Sequence, residues 1–279
     1  MQRFKKGFTL VELSLSLAFI GILSITIVLI INNAIATYRR GLTLNQINTV
    51  GMDLMDDIRT VVQNSPARLL KYSCGIYESG KGKEDCESNG GKNLMIVRKT
   101  GTVNGKDDVP LFGAFCTGKY SYVWNSGYLF DNDAEVSSGT KASLKYESGS
   151  PLPSDFRLAK VEDTKRSVCA SALSEYKTDD IQDELKVSDG AGIEILLAGN
   201  GDTGNALALY DFNAGMPAVN DDESAAFYSL SFILGTVQGG IDVKASGNFC
   251  KAPKEDGSNG FFNYCSINKF NFAAQATGG

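Results

Sequence analysis

The chain has 279 residues, 43% of them apolar, enough to bury a core in one large or two modest domains and enough to exclude collagen-like, mucin-like and fully disordered chains. Twenty-seven Lys and Arg against 32 Asp and Glu leave a net charge of −5, which argues against gripping nucleic acid through bulk electrostatics. There is no histidine, so Ser/His/Asp and Cys/His nucleophiles, His-ligated zinc and an imidazole general base are all excluded.

The first element is apolar. Between Leu13 and Thr37 lie 25 consecutive uncharged residues, LSLSLAFIGILSITIVLIINNAIAT. As an α-helix rising about 1.5 Å per residue this run spans a hydrocarbon layer of about 30 Å. A buried core helix is the alternative, but such helices seldom stay uncharged for so long. A secretory signal peptide with Arg3, Lys5 and Lys6 as its basic region is disfavoured by the length of the run and by Glu12 near its start, and only AIA before Thr37 resembles a cleavage site. Glu12 stands out because a carboxylate at a bilayer centre costs at least about 2.5 to 3.5 kcal/mol. It marks either a functional acid or a residue held at the interface, reaching towards water beside Lys5 and Lys6.

A short basic leader ending in glycine, MQRFKKG, followed by FTLVELSLSLAFIGIL, resembles the processing and assembly segment of type IV prepilins and the related pseudopilins. The resemblance covers roughly the first 35 residues. It implies cleavage by a prepilin peptidase between Gly7 and Phe8, methylation of the new amino terminus at Phe8, and an assembly role for Glu12 four residues further on. Removing seven of the 279 residues leaves 272 and, by deleting Arg3, Lys5 and Lys6, moves the balance from −5 to −8. Gly21 falls where members commonly have a helix-loosening glycine, whereas Leu29 stands where many have proline. Ser14, Ser16, Gly21 and Ser24 either let helices approach closely or are ordinary membrane-helix residues.

Beyond the apolar run, Ile47, Val50, Leu54, Ile58 and Val61, with Met55 and Val62 beside them, recur at three- and four-residue spacing, with Asn48, Asp53, Asp56, Asp57 and Arg59 between. This predicts an amphipathic helix ending near Asn64 and Ser65, ahead of Pro66. From Phe8 to Gln63 an unbroken helix would be roughly 84 Å long.

From Ser65 on the pattern is β. Short β-branched and aromatic runs occupy 94–98, 109–115, 120–124, 193–198, 206–212 and 227–234. Asn104-Gly105 signals a turn, Asn200-Gly201 suggests a hairpin joining the runs on either side of it, and 165–186 suits a short helix. The expected fold class is α+β, a long N-terminal helix packed on an antiparallel sheet in a pilin-like head. The expected segments are 1–7 leader, 8–37 transmembrane or filament-core helix, 38–64 amphipathic helix and 65–279 disulfide-containing head.

Cys74, Cys86, Cys116, Cys169, Cys250 and Cys265 all lie on the side that the resemblance places beyond the membrane, where an even count favours disulfides. Of 15 pairings, Cys74 with Cys86, Cys116 with Cys169 and Cys250 with Cys265 is the expected one. The acidic clusters at 131–135, 178–184 and 220–224 lack the EF-hand pattern, and no Walker, GxGxxG or GxSxG motif occurs, so no metal site, cofactor or catalytic residue is expected. Phe261, Phe262, Tyr264, Phe270 and Phe272 suit core packing better than base stacking, and no strong nucleic-acid signal is present. The function expected from the resemblance is a structural subunit, not an enzyme. It would be a major or minor pilin serving adhesion, motility or DNA uptake. Its partners would be identical or related subunits, the peptidase, the pilus assembly machinery and, before assembly, the inner membrane. A secretion-system pseudopilin and a monomeric single-span surface protein with a ligand-binding or catalytic head are the alternatives.

Overall fold

The computed structural model describes residues 9–65, 96–131, 134–137, 141–152, 155–164, 167–168, 182–199, 206–214, 218–219, 225–237, 241–244, 247–250 and 265–277. One α-helix, α1 (Leu10–Gln63), precedes the strands β1 (Ile96–Val103), β2 (Lys106–Cys116), β3 (Tyr120–Asn125), β4 (Ser143–Tyr146), β5 (Phe156–Glu162), β6 (Glu184–Val187) and β7 (Ile193–Ala198). There follow β8 (Leu207–Ala214), β9 (Ala218–Val219), β10 (Ala226–Thr236), β11 (Ile241–Lys244), β12 (Gly247–Cys250) and β13 (Ile267–Ala276). The class is α+β. The chain divides into two compact units after Leu42, and α1 contributes to both.

In the first unit α1 is apolar and exposed on every side. Leu10, Phe19 and Ile30 keep 84%, 67% and 67% of their surface, and the most apolar stretch buries nothing. Among the described residues this is the helix long and apolar enough to cross a membrane.

In the second unit, Thr43 to Gly279, the periodicity read from the sequence becomes a buried stripe: Ile47, Leu54, Ile58, Val61 and Val62 are buried, and Val50 and Met55 pack beside them. Helical geometry ends at Gln63. Asn64 and Ser65 close the last turn by donating their amides to the Thr60 and Val62 carbonyls.

A five-stranded antiparallel sheet in the order β1-β2-β3-β5-β7 forms one layer. Strand alternation divides its side chains between two cores. Phe115, Tyr122, Trp124 and Leu158 join α1 in one; Ala114, Val123, Ala159 and Val161 face the other, beside Tyr128, Leu144, Leu185 and Tyr210. Burial on both faces explains why runs such as YSYVW read as compact rather than strictly alternating. The β1–β2 hairpin turns at Asn104 and Gly105, both at positive φ (50° and 76°), as a two-residue primed turn requires.

A second antiparallel sheet runs β13-β10-β8, with β9 on β10. Its inward residues, among them Tyr228, Leu230, Phe232, Phe270 and Phe272, close the first core over α1. Stacked rings connect the layers: Tyr122, Phe115, Phe212, Phe232 and Phe270 follow one another at centroid separations of 6.1, 4.9, 6.3 and 5.0 Å. Phe270 and Phe272 are thus core residues, as expected; Phe261, Phe262 and Tyr264 lie outside the described residues.

Two expectations need correction. The strands flanking Asn200-Gly201 do not form a hairpin, because β7 pairs with β5 and β8 with β10, so the connection carries the chain from one sheet to the other. The short helix expected within 165–186 is helical at 167–168, where it is described; 165–166 and 169–181 lie outside the described residues, and the segment ends in β6. That strand pairs in parallel with β4, so the head is not purely antiparallel, although β11 and β12 form a further antiparallel pair.

β13 lies along the buried half of α1. Asn268 donates to Asn48 (2.9 Å), Arg59 sits over the Phe272 ring (5.8 Å), and the Thr277 amide reaches the Gln63 carbonyl (3.3 Å). Gly51 permits this approach, since a methyl group built there would come within 2.1 Å of the Phe270 ring. Gly51→Ala should therefore destabilise the head by about 1–3 kcal/mol through overpacking, despite the helix propensity it gains. Gly41→Ala, which meets no atom within 4 Å, should be neutral or stabilising by up to about 1 kcal/mol. Denaturant midpoints of the two variants check the contrast, and equal midpoints would contradict it.

Candidate functional site

The start of α1 is built by a reciprocal cap. Thr9 precedes the first helical residue, and the Leu13 amide donates to its carbonyl (3.2 Å). The Thr9 amide and hydroxyl both donate to Glu12 Oε2 at 2.9 Å, and the Glu12 amide donates back to Thr9 Oγ1 (3.3 Å). Threonine followed three residues later by glutamate is a capping box, and the acid also sits where the helix dipole favours negative charge. The signal was present in the sequence as TLVE. Glu12 therefore has a local role that its position in an apolar run does not suggest. Gly7 and Phe8 lie outside the described residues.

The head holds α1 by a second polar device. Asp57, on the buried half of the helix, accepts a hydrogen bond from the Tyr122 hydroxyl (2.8 Å) on β3 and pairs with Lys160 Nζ (2.5 Å) on β5. Lys160 also lies near the faces of Tyr120 (4.9 Å) and Tyr122 (5.8 Å). Burial, reinforced by the Asp57 carboxylate and its hydrogen bond, pushes the Tyr122 phenol well above the ordinary tyrosine value, so it serves as a neutral donor. Removing Asp57 would strand a lysine that is only 15% exposed, which costs more than the pair contributes net.

Beside this clamp lies a groove of about 380 Å³. The helix contributes Val50, Asp53, Leu54 and Asp57 to it. Leu158 of β5 and Glu194, Leu196 and Leu197 of β7 form the other wall. Its floor is aliphatic, and Asp53 and Glu194 are exposed on its rim. Nothing in the linear sequence brings Asp53 and Glu194 together; the packing of α1 beside the paired strands β5 and β7 does.

Cys116 and Cys265 are both disulfide-bonded, and no described cysteine is free. Cys74, Cys86 and Cys169 lie outside the described residues, as does the side chain of Cys250, so the expected pairings fall there too. The fully buried Asp163 carboxylate accepts from the Ser121 and Ser167 hydroxyls and from the amides of Ser167 and Val168, which makes it a local cap. Among the described residues no group of three or more acidic or cysteine side chains is placed to hold a metal.

Compared with protein-family models, curated proteins and solved structures, the chain matches none.

Burial also raises the Tyr210 and Tyr228 phenols above the ordinary value. All three tyrosines keep their protons in the folded state at pH values where the unfolded chain loses them. Their contribution to stability is therefore intact below about pH 10 and is lost as pH rises further, at up to about 1.4 kcal/mol per pH unit for each. Denaturant titrations between about pH 9 and 11.5 should show that decline, with a shallower slope for Tyr122→Phe; an unchanged slope would contradict the assignment.

Proposed function

We propose that the chain is a type IV pilin-like structural subunit, a major or minor pilin. In this reading a prepilin peptidase cuts it between Gly7 and Phe8. It waits in the inner membrane as a single-pass protein and then assembles with identical or related subunits into an extracellular filament for adhesion, motility or DNA uptake. The observation that carries the reading is the first unit of α1, an apolar helix with every side exposed and with Glu12 in its first turn. Such a surface needs cover, first from lipid and then from neighbouring helices.

The physical role of Glu12 follows from the two environments. Lipid tails are as apolar as Leu or Ile side chains, so moving the helix from bilayer to filament gains little from the hydrophobic effect. Direction and register have to come from something polar. The ammonium group created at Phe8 and the carboxylate of a neighbour's Glu12 are suited to each other, and in a dry core either one alone would be stranded. Both Thr9 bonds end on Oε2, so Oε1 is the oxygen offered to that ammonium while the cap stays in place.

Glu12→Gln separates the two roles, because glutamine also completes a capping box but carries no charge. The variant should be processed normally and enter the membrane, yet its yield of sheared surface filaments should fall at least tenfold, in keeping with a loss of several kcal/mol on stranding a charge. Filaments at wild-type yield would remove the charge-pairing role.

A further inference from the structure

We propose that the groove between α1 and the β5–β7 edge of the head receives the segment around Tyr38 and Arg40 of a second copy of this chain. The proposal rests on the filament reading and names a contact that reading leaves open.

The groove's chemistry selects its occupant. Leu54, Leu158, Leu196 and Leu197 give it an aliphatic floor, and at about 380 Å³ it lies within the range of pockets that take a ligand-sized group. Around that floor stand Asp53, Asp57 and Glu194, against which the structure sets the single ammonium of Lys160. Three carboxylates and one ammonium leave an excess of two negative charges. The groove therefore suits a side chain with an apolar stem and a cationic head, which describes arginine.

This chain carries that chemistry at one place on its long helix. Between Lys6 and Arg59 its only basic residues are Arg39 and Arg40, directly after the uncharged run. Arg40 is exposed, and Tyr38, 67% exposed, offers an aromatic face of the kind that anchors interfaces. The receiving side is open as well. Among the described residues β7 is an edge strand, paired only with β5, and IEILLA contains neither the lysine nor the proline that commonly blunts such edges. Seating Arg40 with its stem on the leucines would put its guanidinium beside Glu194 and Asp53, where bidentate pairing with a carboxylate is available.

Charge exchange in the full-length chain tests the contact. Arg40→Glu and Glu194→Arg should each lower filament yield at least fivefold, and the double variant should return to within about twofold of wild type. Thermal midpoints within a degree or two of wild type show that the exposed Glu194 was not needed for folding. In Arg40→Lys filaments treated with a zero-length carbodiimide, an amide between the new side chain and Glu194 or Asp53 should appear in a band of dimer mass. Single variants that assemble at wild-type yield, a double variant that does not recover, or a Glu194 adduct to any other protein would overturn the contact and leave the filament reading standing. A wild-type chain that forms no filaments would overturn both.

Discussion

One helix has to satisfy two solvents. Over its uncharged run α1 is exposed around its whole circumference, with its most apolar stretch unburied, and from Thr43 it turns a single apolar stripe to a packed core. Water is a poor solvent for the first half and a good one for the outer face of the second. An exposed apolar surface of this extent is better covered by something other than water. The membrane and the filament core of the proposed function are both answers to that constraint.

The head contributes by gripping its half of the helix firmly. Aliphatic and aromatic burial does most of this, since each fully buried Ile, Leu or Phe is worth about 1.5–3 kcal/mol relative to exposure. The Asp57, Tyr122 and Lys160 clamp adds orientation more than net energy, because a half-buried pair spends most of its attraction on desolvation. Gly51 lets the tip of the Phe270 ring come against the helix, where β13 runs alongside it from Asn48 to Gln63. Stacked rings from Tyr122 to Phe270 make the two sheets and the helix a common core.

Local features were legible in the sequence and long-range ones were not. The amphipathic stripe, the helix end before Pro66, the six β runs and the Asn104-Gly105 turn all depend on residues within a few positions of one another, and each recurs in the structure. The Asn200-Gly201 reading failed because which sheet a strand joins is decided by packing, not by the turn beside it. Parallel pairing of β4 with β6 joins residues about 40 positions apart, with little local signal to announce it. At the candidate site, Glu12 was conspicuous as a charge in an apolar run, yet its cap with Thr9 went unread although T-x-x-E states it directly. Asp57 read as one of several solvent-facing acids; only the fold brings it to Lys160, 103 residues away, and brings Glu194 to the groove.

In the proposed function this helix begins, in the working protein, with a new charged terminus at Phe8 answered by a neighbour's Glu12. Intact-mass and amino-terminal sequencing of the protein recovered from surface filaments test it most directly. The recovered chain should have 272 residues and start at N-methylated Phe8. A chain that keeps Gly7 and the residues before it, recovered as single molecules from the membrane, would contradict it.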